Sequence, residues 1–469
     1  MAKSDDSGYI DPTYGISGQA TVPAQDKENT DRYSLQVQAY ATASDGSMVF
    51  FGHNPDDVYE EDGFLTRIYS SGQWDGVTKH VPVRKLIPKK QWAYYTMTLG
   101  EVDGEQRFFT ASPFYYAEDG SFARHIAIQS YGMDLQKIVE FGNDGVALPS
   151  PPLALPHATG KLAEAHKISK SAQHKEAKPD QLFDYRFQQK LACTNEKITV
   201  LFYGSTVVNG VEDESIWCAV LNAKDGKPGT GLGADGIQSQ VRLPKFDGKL
   251  LSPYRVAFLE DGGFFVLGVT FGEDKCYLQR FKPNATLDEK FANDVGHIEI
   301  PGSPLHVGLA AHKNRVVVST AAFHNTSEAT KLWGFDFSGK ELPAFTKSIP
   351  FNPQAAPGLP KWLSNVVREK QKRNKGMTLN HLRFDAKGRL VLGGETTYAE
   401  GDSYLQLVRL EYDGELDVNF GVGGYSAVTP EDYLFNAKGM DLQGDGILVF
   451  SQITVDPGEG YQKVARFKS

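Results

Sequence analysis

Seven short stretches of the chain carry polar or cationic residues at one repeated place, six and seven positions ahead of a tight turn. In chain order the pairs are Gln38/Ala39, Thr96/Met97, Gln188/Gln189, Tyr254/Arg255, His306/Val307, Asn380/His381 and Lys438/Gly439. None is a carboxylate. Hard cations want oxygen ligands, so the set disfavours a metal site and suits a small anion or a polar ligand. Arg255, His306, His381, Gln189 and Lys438 are therefore the candidate ligand-binding residues. An alternative stays open here: the same groups could serve only backbone and water. Histidine can act as a general base, which makes His306 and His381 the first residues to test for lyase chemistry. No catalytic residue is assigned. The chain has no Gly-x-Ser-x-Gly turn, no His-Glu-x-x-His and no Gly-rich phosphate loop before a helix. The run Gly231 to Gly236 fits a dinucleotide fingerprint only superficially, because it sits in a turn before a short strand. No cofactor and no metal are expected.

These residues need elements to hold them, and the elements repeat. Residues 378–430 read as an alternating strand, a Lys387-Gly388 turn, the strand Leu390 to Gly394, a polar loop, the strand Tyr404 to Leu410, a turn at Asp413-Gly414 and a short strand from Tyr425. Gly supplies positive φ at such turns, and Asp or Asn tolerates it. The module recurs at 252–301, 434–468 and 35–84, and in weaker copies near Trp92, Asp184 and Leu305. Four-stranded units spaced roughly 45–60 residues apart are propeller blades. The fold class is therefore all-β: a seven-bladed β-propeller of four-stranded antiparallel blades. A length of 469 residues alone would suggest several domains, but the repeat makes residues 1–469 one domain. Insertions fall at 153–183 and 354–377.

The segment Val408 to Val428 resembles the unit of the delta-60 repeat β-propeller family, with Arg409, Asp413-Gly414, Leu416-Asp417 and Phe420-Gly421 in the family's spacing. Residues 280–296 and 141–145 match more loosely. The resemblance implies the fold and little about function, since such repeats serve as scaffolds in diverse proteins. The recurring third-strand arginines, Arg67, Arg280, Arg409 and Arg466, belong to the repeat and read as structural groups between blades. The last blade runs out at Ser469 before its Leu-Asp and Phe-Gly turn. That piece stands at the other end, where Ile10-Asp11 matches Leu416-Asp417 and Tyr14-Gly15 matches Phe420-Gly421. The N-terminal strand is therefore expected to complete the last blade and seal an open sheet edge.

In this topology the first strands line the central channel. The second-to-third loops and the blade-to-blade crossovers share one face. Those loops are acidic in six blades, at 54–63, 115–120, 209–214, 271–275, 397–402 and 456–460. They read either as solvated hairpin tips or as an acidic rim for a basic partner. The crossover 157–178 carries five Lys and three His and reads as a mobile loop, too poor in apolar residues to pack. Residues 361–375 read as an amphipathic helix with a basic end. Trp362, Arg368, Lys372 and Arg373 are its candidate partner contacts.

Loops on a rigid frame concentrate binding, so the leading reading is a non-catalytic binding or scaffold propeller that recognises a protein or polymer. The alternative is a lyase or hydrolase acting on a polar or anionic substrate at the channel mouth. The net charge of -9 argues against general nucleic-acid binding. No apolar run approaches the roughly 20 residues of a membrane span. The N-terminus has no apolar signal core. A cytoplasmic monomer is expected. Cys193, Cys218 and Cys276 lie among apolar neighbours and read as small core residues.

Overall fold

The computed structural model describes residues 11–16, 19–22, 36–53, 63–81, 96–118, 121–149, 190–208, 211–229, 240–242, 251–270, 275–301, 307–320, 330–349, 374–398, 403–421, 423–427, 436–444, 446–456 and 459–469. Among these residues, strands assemble into seven four-stranded antiparallel sheets. After β1 (Gln19–Val22), blade 1 holds β2 (Gln36–Thr42), β3 (Met48–His53), β4 (Gly63–Ile68) and β5 (Trp74–Val81). Blade 2 holds β6 (Thr96–Val102), β7 (Glu105–Glu118), β8 (Ser121–Gly132) and β9 (Val146–Ala147). Blade 3 holds β10 (Lys190–Thr194), β11 (Lys197–Val208), β12 (Val211–Asn222) and β13 (Gln240–Arg242). Blade 4 holds β14 (Leu251–Phe258), β15 (Phe264–Thr270), β16 (Lys275–Phe281) and β17 (His297–Pro301). Blade 5 holds β18 (Val307–His312), β19 (Arg315–Thr320), β20 (Thr330–Asp336) and β21 (Lys347–Ile349). Blade 6 holds β22 (Asn374–Phe384), β23 (Leu390–Tyr398), β24 (Ser403–Leu410) and β25 (Tyr425–Ala427). Blade 7 holds β26 (Asn436–Gln443), β27 (Gly446–Asp456), β28 (Glu459–Lys468) and, on its outer edge, β1.

Each blade has a neighbour on both faces, so its central strands are apolar on both sides. Val316-Val317-Val318 and Ile447 to Phe450 are buried throughout, as continuous apolar runs require. The core is divided into seven clusters, one between each pair of neighbouring blades and one joining blade 7 to blade 1. In that last cluster Tyr14, Ala20 and Val22 pack with Met48, Phe50 and Phe450. Each large side chain fully buried this way contributes about 1.5–3 kcal/mol.

The closure predicted from the sequence is present. β1 pairs antiparallel with β28, Ala20 opposite Val464 and Val22 opposite Gln462. Asp11 takes the place of Asp417. Its backbone N–H donates to Arg466 O at 2.8 Å, and its carboxylate lies 3.6 Å from Arg466 Nη1.

The repeat motif has a mechanical meaning in the ring. After the buried aromatic, the next residue takes a left-handed backbone and its N–H donates across to the following blade. Gly15 reaches Ser71 O, Gly142 reaches Asp225 O and Ala292 reaches Ser338 O, at 2.7–2.8 Å. The third-strand arginines also reach sideways: Arg67 donates to Met133 O at 2.7 Å and Arg280 to Phe337 O at 2.9 Å.

Two boundaries differ from the sequence reading. Residues 374–377, assigned to the second insertion, begin β22. The acidic stretches 115–118 and 211–214 are strand ends of β7 and β12 rather than loop. The rest of both insertions, including Trp362, Arg368, Lys372 and Arg373, lies outside the described residues.

Candidate functional site

The first strand of every sheet is an edge, and together these edges wall a central cavity of about 660 Å³. The strand register defines its layers. Counted back from the first hairpin, one layer consists of Ala39, Thr98, Lys190, Arg255, Gly308, His381 and Gly439. They pair respectively with Phe51, Phe109, Leu201, Leu267, Ser319, Gly393 and Phe450 of the second strands. The layer is two-sided. Blades 3, 4 and 6 supply Lys190, Arg255 and His381, while blades 7, 1 and 2 supply Gly439, Ala39 and Thr98. Gly308 stands between Arg255 of blade 4 and His381 of blade 6, where a Cβ would come within 2.3 Å of Leu382 Cδ1.

A β-bulge precedes this layer in four blades, between Val37/Ala39, Pro253/Arg255, Leu379/His381 and Ala437/Gly439. A bulge bends its strand and re-aims the neighbouring side chain. Arg255 and His381 each follow one directly. Arg255 Nε donates to Val307 O at 2.9 Å, which anchors the guanidinium on the next blade's edge. Burial, the largest influence, and Arg383 both act to lower the Arg255 pKa. The amine of Lys190 is pushed down to about 7 by burial and by Arg255. Among the described residues Lys190 Nζ meets no acceptor.

Two residues nearer the hairpins, the wall is mostly small: Ala41, Ala257 and Ala310 share it with Arg383 and Asp441. Asp441 is a carboxylate on the wall, two residues nearer the hairpin than the positions read from the sequence. Its Oδ1 accepts from Leu442 N at 2.9 Å. Arg383 Nη1 donates to Leu382 O at 2.9 Å, and Tyr40 Oη donates to Met440 O at 3.2 Å. Burial, first of all, raises the Tyr40 pKa, and Asp441 adds to it. At the hairpin end His312 stacks on Phe384 with centroids 5.6 Å apart. Its pKa is lowered by burial, then by Lys313 and Arg315.

Of the residues singled out from sequence, the structure brings Arg255 and His381 into one layer. Lys438 occupies the bulge ahead of Gly439. Gln189 and His306 lie outside the described residues. Lys190, Arg383, Asp441 and Tyr40 were missed. The signal that finds Lys190 is hairpin length. Blades 2, 3 and 5 turn in two residues, with left-handed backbone at Asp103-Gly104, at Asn195-Glu196 and at Lys313. Blades 1, 4 and 6 use longer loops, 43–47, 259–263 and 385–389. Alignment on the turn residues alone slips the short-turn blades by one, and puts Gln189 where Lys190 stands.

Among the described residues no group of three or more His, Cys, Asp or Glu could hold a metal ion. None of the described helices is long and apolar enough to cross a membrane.

No protein-family model matches the chain. No curated protein matches it. Solved structures similar to it include a Trypanosoma rangeli sialidase in complex with sialic acid, at 12% identity and a TM-score of 0.35, over 96% of this chain and 57% of the other. A prolyl endopeptidase structure shares 11% identity at a TM-score of 0.43, over 93% and 50%. The NanB sialidase from Streptococcus pneumoniae shares 8% at 0.40, over 97% and 71%. The chain thus spans 57% and 50% of the length of the first two. Likeness at this level carries neither activity nor substrate across. The seven-bladed ring rests on the chain's own strand pairing.

Proposed function

We propose that the chain is a non-catalytic binding propeller, built on a repeat of the delta-60 type, that recognises a protein or polymer with the loops of its channel-mouth face. A cytoplasmic location is part of the same reading. The observation that carries it is a pair of long hairpins on that face. The second-to-third hairpin of blade 2 continues past the described first strand from Ala111 to Glu118 and back from Ser121 to Ile128. That of blade 3 continues from Leu201 to Val208 and back from Val211 to Cys218. At about 3.3 Å per residue, these paired arms are some 20 Å long. Hairpin ends on a rigid frame serve recognition. Glu118, Glu212, Asp213 and Glu214 lie on these strands, so the rim suits a basic partner.

A second reading is favoured by one observation. Lys190, with its amine near neutral pKa, shares a layer with His381, and either could move a proton. The chain would then be a lyase or hydrolase for a polar or anionic substrate. Multiple turnover on a panel of anionic small molecules and glycans, abolished by Lys190→Met, would establish the enzyme and overturn the binding reading. Saturable binding of a basic protein or polymer without turnover, weakened when the tips of the blade 2 and blade 3 hairpins are shortened, supports it.

A further inference from the structure

We infer that the arc formed by Lys190, Arg255 and His381 is a binding site for the oxyanion group of a small ligand, a carboxylate or a phosphate. The inference rests on the reading of the ring as a binding protein and sharpens it to one ligand chemistry. The three groups come from three different blades and fall in one register layer of one cavity. Nothing in strand propensity asks for Lys or Arg there. At the same layer the opposite arc holds Gly439, Ala39 and Thr98, which leaves the lumen open on that side.

The wall itself favours an anion. Each first strand is a sheet edge, so it offers unpaired N–H and C=O groups to the lumen. Several of the carbonyls are taken. Arg255 caps Val307, Arg383 caps Leu382, Tyr40 caps Met440, and Thr98 Oγ1 donates to Leu99 O at 3.3 Å. Capping acceptors leaves a wall richer in donors. Backbone N–H groups facing a concavity, joined by cations, are the usual makings of an anion site. Arg255 uses only Nε on the neighbouring blade, and a guanidinium has four further N–H donors on its two Nη atoms. Among the described residues those atoms meet no acceptor. Lys190 has none either. Asp441, the one carboxylate lining the described cavity, stands two residues nearer the hairpin than Gly439 and outside the layer.

The test is calorimetric titration of the full chain with inorganic phosphate and, separately, with succinate, at low ionic strength and below pH 7. Saturable binding of either is expected, and which of the two binds distinguishes the phosphate source from the carboxylate source. Lys190→Met is expected to weaken it about tenfold, the scale of one charge-assisted hydrogen bond. That variant removes no hydrogen bond or ion pair among the described residues, so it should fold. Arg255→Lys keeps the charge but loses the fork, and should weaken binding as well. Absence of binding by both anions, or binding that Lys190→Met leaves unchanged, overturns the site and leaves Arg255 the role of capping Val307 O. Capture of a basic partner by the hairpin rim is measured separately, so loss of the anion site alone leaves the binding reading standing.

Discussion

At the scale of single residues, the ring keeps or abandons one ion pair as a unit. In six blades a residue of the third strand offers its carbonyl to an N–H in the turn before the fourth strand; in blade 1 the counterpart, Asp75, already stands in β5. Four blades place Arg and Asp at these two positions: Arg67–Asp75 at 3.1 Å, Arg280–Asp288 at 3.4 Å, Arg409–Asp417 at 2.6 Å and Arg466–Asp11 at 3.6 Å. The other three place Ser130 with Ile138, Val220 with Gly229, and Gly334 with Leu342, joined by the same backbone bond at 2.8–2.9 Å. No blade retains half of the pair. This is what burial demands, because one charge left without its partner costs far more than replacing both. In blade 6 both side chains are only 2% exposed. Arg409→Met leaves Asp417 with Arg389 at 3.6 Å and should therefore cost up to about 3–5 kcal/mol. The double variant Arg409→Gly with Asp417→Leu, which copies blade 5, should recover most of that in urea denaturation. Equal losses in both would show that the pair carries no special cost. Lys190 makes a prediction of opposite sign. Its pKa falls from 10.5 in the unfolded chain to about 7 in the folded one. Below pH 7 both states hold the proton, and the cost of burying it is present in full. From pH 7 towards 10.5 the unfolded chain holds a proton that the folded chain has released, so stability rises with pH. Lys190→Met should be more stable than the wild type below pH 7, with the difference vanishing towards pH 10.5. Parallel stability profiles for the two proteins would sink this account.

At the scale of elements, the residue after the buried aromatic shows why the Phe-Gly dipeptide recurs. Its N–H must turn towards the next blade, and the backbone reaches it only with positive φ: 54° at Gly15, 63° at Gly142 and 56° at Gly421. Gly pays no steric penalty there. Blade 4 instead has Ala292 at φ 60°, and a left-handed non-glycine costs about 1–2 kcal/mol. Ala292→Gly should thus raise stability by up to about 1 kcal/mol, read as a higher urea midpoint at unchanged slope. A lower midpoint would mean that the Ala292 methyl packs more tightly than its backbone is strained. Such punctuation is why the fold could be read from sequence. Asp-Gly and Phe-Gly mark backbone geometry that few residues tolerate, and the N-terminal Tyr14-Gly15 betrayed its blade by the same chemistry. The site was less legible. Arg255 and His381 were found because blades 4 and 6 share a loop length with blade 1. Lys190 was missed because a two-residue turn and a five-residue loop carry similar turn residues, while the side-chain register depends on their length. The acidic stretches of blades 2 and 3 were misread as loops for a related reason. Their acidic ends, Glu118 and Glu212 to Glu214, carry the residue types of a hairpin tip.

At the scale of the whole molecule, each blade packs only on its two neighbours, one hydrophobic cluster per junction. An open array of this kind unfolds from its ends. The ring has no open edge in blade 7 because β1 and β28 meet inside it. Four separate ties act there. β1 pairs with β28; Asp11 meets Arg466; Tyr14 and Val22 fill the cluster between blades 7 and 1; and Gly15 N–H donates to Ser71 O of blade 1 at 2.7 Å. The last two bind the first blade to the last through a segment that precedes blade 1 in the chain and completes blade 7. Removing residues 1–22 should do more than subtract these contacts. It leaves β28 as an unpaired edge, open to other chains, and turns the ring into an open array free to fray from blade 7. The expected result is a lower melting temperature, greater aggregation and a broadened transition whose van't Hoff enthalpy falls below the calorimetric one, against a single cooperative transition in the full chain. A synthetic peptide of residues 5–23, added in trans, should restore part of the loss in proportion to its concentration. If the truncated chain melts as one transition at the wild-type temperature, the seven junctions hold the ring without its closure, and the N-terminal strand is a cover rather than a clasp.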